Sequence, residues 1–114
     1  AATAQLIAIE IPALARRAEA LRRLGRPGEA HSLSARAVAL LDRQRSLETS
    51  EEEVLAIHAR VLAAIGHTAD AATTWERAKQ GILRKLGGLD DASWRAAFAA
   101  IPLHASLLSE RPPD

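Results

Sequence analysis

The chain has no cysteine, no methionine and no tyrosine, and only one phenylalanine and two tryptophans in 114 residues. Without cysteine there is no disulfide framework, no thiolate metal site and no thiol nucleophile. Long apolar runs are missing too, so no transmembrane helix is expected. No basic segment leads into an apolar stretch as a signal peptide would. Neither charge dominates: 15 Lys+Arg stand against 14 Asp+Glu, a formal net charge of +1. That balance gives no overall attraction to nucleic acid. With no methionine even at position 1, a processed N-terminus or a fragment of a longer protein is expected.

What is present points to helices. Alanine, leucine, arginine and glutamate are strong helix formers, and the scarce valine, tyrosine and phenylalanine are strand formers. With 48% apolar and 25% charged residues, the composition is that of an ordinary globular domain. One all-α domain over 1–114 is expected. The preference for arginine over lysine, with abundant alanine, suggests a GC-rich bacterial genome, and a cytoplasmic setting is expected. Charge is uneven along the chain: residues 1–47 carry +4, residues 48–64 carry −3, and the rest balances. Glu51, Glu52 and Glu53 follow Ser50 at a predicted helix start, where carboxylates suit the N-terminal dipole.

The apolar spacing predicts a series of helices. Leu14, Ala18, Leu21 and Leu24 share one face of a helix over 12–25, with Pro12 in its first turn and Gly25 at its end. Arg26-Pro27-Gly28 is a turn. A second helix runs to about Arg45, with Ala30, Leu33, Ala37, Leu40 and Leu41 on one face. Residues 42–50 read as a polar loop ending in a Ser50–Glu53 capping box. The third helix runs to about Ile65, and Val54, Ile57 and Val61 beside Leu55, Ala59 and Leu62 predict burial on two sides. Gly66-His67 closes it, and Thr68 is a candidate cap for the fourth helix, which carries Ala71, Trp75, Ala78, Ile82 and Leu86. Asp90 or Asp91 caps a fifth helix with Trp94, Ala97, Phe98 and Ile101, and Pro102 opens a last one with Leu103, Leu107 and Leu108. Residues 1–10 are expected to be the end of a preceding helix or a cut end.

Leu14, Ala18, Leu21, Gly25, Ala30 and Ala37 align with Leu55, Ala59, Leu62, Gly66, Ala71 and Ala78 at one offset of 41 residues. A constant offset with helix–turn–helix content means stacked helical hairpins. The order of large, small, bulky, glycine and small residues in each unit resembles the tetratricopeptide repeat, with Trp75 at that family's aromatic position. The period exceeds the family's usual ~34 residues, Ser34 replaces the aromatic in the first unit, and the helix-ending proline is absent from both. The resemblance implies repeat 1 over 11–45, repeat 2 over 50–87 and capping helices over 90–110, as at the C-terminal end of an array in a bacterial signalling protein.

No catalytic constellation is visible. His31, His58, His67 and His104 form no H-x-x-x-H or H-E-x-x-H pattern, and His58 reads as a satisfied core or rim histidine. Gly87-Gly88 lacks a following Lys-Ser/Thr and is a helix end, not a phosphate loop. Asp90-Asp91 reads as a cap, and Ser32, Ser34 and His31 form no nucleophile elbow. A non-enzyme without metal or cofactor is therefore expected.

In tetratricopeptide arrays the first helix of each pair lines a concave groove. The resemblance implies a groove of Ala15, Glu19, Arg22, Arg23, Ala56, Arg60, Ala63 and Ala64, basic in part and able to take an extended or helical segment with acidic residues. The lysine/asparagine clamp for a chaperone tail carboxylate is absent. The expected function is binding of a partner protein's segment, with neither nucleic acid nor membrane as partner. RNA binding by a related helical-pair repeat is disfavoured by the low charge and few aromatics. The alternative is a homodimer or larger oligomer formed through Ile7, Ile9 and Ile11, an apolar segment with no obvious partner in the chain.

Overall fold

The computed structural model describes the backbone over residues 2–43 and 51–109 and side chains over 9–43 and 51–108. The described residues form six helices and no strand: α1 (Ala2–Arg23), α2 (Pro27–Arg43), α3 (Glu51–Ala64), α4 (Thr68–Gly87), α5 (Ala92–Ala100) and α6 (Pro102–Ser109). The all-α expectation holds. None of these helices is long and apolar enough to cross a membrane. Helix α1 packs most heavily on α2 and α3 on α4, while α3 also touches α1 and α2. The molecule measures 42 × 39 × 21 Å, and its short dimension is about two helix diameters.

Both tight turns are built alike. Gly25 has φ +78° and Gly66 φ +87°, the left-handed region where a Cβ is unfavourable. Around Gly25, its N–H donates to Arg22 O at 3.1 Å and Arg26 N–H to Leu21 O at 2.9 Å. Around Gly66, its N–H donates to Ala63 O at 3.0 Å and His67 N–H to Leu62 O at 2.8 Å. These paired bonds satisfy the last carbonyls of each helix in a Schellman motif. The offset that relates the sequences therefore relates their hydrogen bonds as well.

The alanines set the closeness of packing. Ala18, Ala30, Ala37, Ala59, Ala71 and Ala78 are all fully buried, and small side chains let helices approach closely. Leu14, Leu55, Val61, Ile82 and Leu107 join all of these but Ala71 in one core. Helix α3 is buried on both sides as expected, through Val54, Ile57 and Val61 as well as Leu55 and Leu62.

Several expectations are corrected. The first helix opens at Ala2, not at Pro12, so residues 2–10 continue the first hairpin rather than end a separate helix. Proline there removes one backbone donor. The helix passes through because Ile11 beside it is fully buried and Glu10 pairs with Arg36 of α2 at 2.9 Å. Leu24 lies beyond the helix at the exposed turn, not on the core face. Asp42 and Arg43 belong to α2, not to the loop, while 44–50, including Ser50 of the expected capping box, lie outside the described residues. His67, not Thr68, is the N-cap of α4, and it makes no side-chain cap bond.

Asp91 is the cap of α5, accepting from Ser93 N–H at 2.8 Å and Trp94 N–H at 3.2 Å. Its carboxyl is held below the usual range by the Ser93 hydroxyl and those two amides. The expected core face of α5 is not a core face. The helix has no buried residue, Trp94 is 69% exposed, and of the expected core residues within the helix only Phe98 is half-buried, against His104 at 4.3 Å. Helix α5 is short and barely touches α4, whereas α6 packs on α4 and buries Leu107.

Candidate functional site: a three-walled groove

A groove of about 670 Å³ opens between α1, α3 and the C-terminal helices. Helix α1 contributes Arg16, Glu19 and Arg23, one turn apart along one face. Helix α3 contributes Glu52, Glu53, Ile57 and Arg60. Phe98, Ile101, Leu103 and His104 form the third wall. One side is thus ionic and the other mostly apolar.

On the ionic side, Glu19 is the hub. It accepts from Arg22 Nε at 2.8 Å and lies 3.4 Å from Arg23 Nε and 3.8 Å from Arg60 Nη1. The Arg60 guanidinium also sits 5.6 Å from the centre of the buried Trp75 ring, a cation–π contact that fixes its place. Arg16 reaches Glu53 at 3.7 Å. The side chain of Glu19 is only 15% exposed, while those of Arg16 and Arg23 are 72% and 73% exposed. Positive charge therefore faces solvent, and this negative charge lies beneath it.

A second ionic cluster holds the third wall. Glu52 is buried and accepts from Lys85 Nζ of α4 at 2.7 Å. His104 Nε2 of α6 stands 3.4 Å from its other oxygen. Because a carbonyl can only accept, His104 Nδ1–H donates to Phe98 O at 2.9 Å. Both ring nitrogens thus face oxygen atoms. Burial alone pushes the Glu52 carboxyl up. The bonds from Lys85 and a backbone amide, with the charges of Lys85 and His104, outweigh this and hold it below its usual range.

The sequence-predicted site residues divide. Glu19, Arg23 and Arg60 line the groove. Arg22 stands behind them, bound to Glu19. Ala15 and Ala56 are buried between helices and offer no surface to a ligand, a correction to the expected groove. Ala63 and Ala64, at the far end of α3, are not among its walls. Of the proposed self-association residues, Ile9 is 69% exposed, but Ile11 is fully buried and unavailable. Its partner is the chain's own core, which the sequence reading did not find. The Ile7 side chain lies outside the described residues.

The predicted groove left out Arg16, Glu52, Glu53, Ile57 and the whole third wall. One signal was available: the 41-residue offset sets Glu52 against Ile11, marking a carboxylate at a core position.

Away from the groove, three histidines that are distant in sequence meet at the junction of the hairpins. His31 stacks on His58 with ring centres 5.9 Å apart and lies 6.2 Å from His67. His58 Nδ1 is 2.8 Å from Ser34 Oγ, so it is a satisfied rim histidine. Burial, then the nearby His31, lowers its pKa, with Asp70 opposing weakly. No group of three His, Cys, Asp or Glu among the described residues is placed to hold a metal ion.

No protein-family model, no curated protein and no solved structure matches the chain.

Proposed function

We propose that this chain is a non-enzymatic interaction module that holds a segment of another protein in the groove between α1, α3 and α5–α6. The observation that carries this reading is the groove's polarity: exposed guanidinium groups of Arg16 and Arg23 stand above a recessed Glu19, opposite an apolar wall. Such a surface matches a segment with carboxylates and a few apolar anchors. We further propose that the two hairpins are tetratricopeptide-like repeats with α5–α6 as the closing pair. The shared Schellman turns and the matched buried alanines support that reading. A bacterial regulatory or signalling protein of the cytoplasm is the parent we propose, from the arginine- and alanine-rich composition.

The test is selection of random linear peptides displayed against the folded chain. The reading expects recovered peptides whose binding falls at least about tenfold, roughly 1.4 kcal/mol, on Arg23→Glu. Binding indifferent to that change, or no recovery, contradicts it. The alternative, self-association, draws on the exposed Ile9. Sedimentation over a wide concentration range separates the two: a dimer that persists on dilution and splits with Ile9→Asp favours the alternative.

A further inference from the structure

We infer that the groove's occupant is an amphipathic α-helix that lays an apolar edge on α5–α6 and turns a flank of carboxylates toward Arg16, Arg23 and Arg60. This rests on the groove-binding reading and adds the conformation and polarity of the partner.

The conformation follows from what the groove does not offer. An extended segment exposes backbone N–H and C=O groups that must be paired when water is removed. Among the described residues the polar lining is Arg16, Glu19, Arg23, Glu52, Glu53, Arg60 and His104, with no amide or hydroxyl side chain that both donates and accepts. The chain as a whole contains no asparagine. The acceptors Glu19 and Glu52 already bond Arg22 and Lys85, and the guanidinium groups can donate but cannot pair a backbone N–H. A helix brings its own backbone bonds and asks only for side-chain contacts.

The polarity follows from the two sides. Phe98 and Ile101 continue a line begun one turn earlier by Trp94, at the i, i+4, i+7 spacing of a single face. Helix α5 has no fully buried residue, and the two ends of this apolar line, Trp94 and Ile101, are exposed on either side of the half-buried Phe98. Opposite, the contacts that an incoming carboxylate displaces are weak. Arg23 leaves a 3.4 Å contact with Glu19, which keeps Arg22. Arg16 leaves a 3.7 Å contact with Glu53. Both arginine side chains are more than two-thirds exposed and neither contact is a close one, so the pairs are worth little and the guanidinium groups can bind incoming carboxylates in a paired geometry.

Two display libraries provide the test. One is built on a helix-forming alanine–lysine–glutamate frame with varied positions along one side. The other carries regularly spaced prolines that forbid a helix. The inference expects recovery from the first, with leucine or isoleucine at i, i+3, i+4 and i+7 and glutamate or aspartate beside them. Binding of such a peptide should fall at least tenfold on Ile101→Asp and on Arg23→Glu. It should remain unchanged on Arg17→Glu, a substitution at an exposed residue outside the groove. A lysine-for-glutamate peptide should regain affinity on Arg23→Glu, a rescue that loss of folding cannot produce. Recovery mainly from the proline library, still sensitive to Ile101→Asp, overturns the helix and leaves the groove reading standing. Enrichment of lysine in the helical library overturns the polarity. Recovery from neither overturns both readings.

Discussion

The first hairpin places Ile11 one turn before its buried Leu14, and the second places Glu52 one turn before its buried Leu55. Both residues are buried. Ile11 needs only apolar neighbours. Glu52 needs polar partners, and it finds them in Lys85 of its own hairpin and His104 of α6. The same position thus closes the core in one unit and attaches the C-terminal helices in the other. A second pair of positions behaves similarly. Ser34 in α2 bonds His58 of α3, whereas Trp75 at the matching place in α4 supports Arg60 of α3. The turns and alanines make the hairpins alike, and these substitutions give them different neighbours. The groove's third wall exists where the second hairpin departs from the first.

Reversing the difference is the harshest way to break the comparison. Ile11→Glu buries a carboxylate in the apolar core of the first hairpin, and should cost about 4 kcal/mol or more, read as a lower urea midpoint. Removing the second hairpin's carboxylate should cost less. Glu52→Ala leaves Nε2 of His104 without its carboxylate, while Lys85, 44% exposed, turns to water, so a loss of about 2–3 kcal/mol is expected. The double change Glu52→Ile with His104→Leu makes the second hairpin resemble the first. It should bring stability within about 1 kcal/mol of the parent chain.

Smaller changes sharpen the likeness. Gly25→Ala and Gly66→Ala meet no atom within 4 Å, so each should cost only the left-handed conformation, about 1–2 kcal/mol. The two losses should agree in urea titrations, and a marked inequality would break the equivalence of the turns. The smallest effect is in pH. His58 has its pKa lowered in the fold from 6.5, so the unfolded chain binds more protons just below that value. Stability should be level above 6.5 and fall as pH drops below it, and His58→Gln should remove this step. Glu52, lowered from 4.5, should give a separate loss as pH falls below 4.5, one that Glu52→Gln abolishes.

Much of the fold is legible because its signals are local. Gly25 and Gly66 mark turns by their own backbone conformation. The four-residue spacing of Leu14 with Ala18, and of Leu55 with Ala59, marks a packed face in each hairpin. Residues whose role depends on distant elements are harder to read. Pro12 looks like a helix start until the burial of Ile11 and the Glu10–Arg36 pair carry the helix through it. Trp94, Phe98 and Ile101 have core spacing, yet α5 has no buried residue. Ala15 and Ala56 suit a groove in the family pattern, but here they lie in the helix contacts. Within Glu51–Glu53 nothing local says that Glu52 turns inward. Only its alignment with Ile11 does.

The claim that Glu52 holds the groove's third wall is tested most directly by amide hydrogen exchange on the parent chain and on Glu52→Ala. The account predicts that amides over Ala92–Ser109 lose much more protection than those of α1 and α2. Unchanged protection in α5 and α6, or an equal loss throughout the chain, would contradict it.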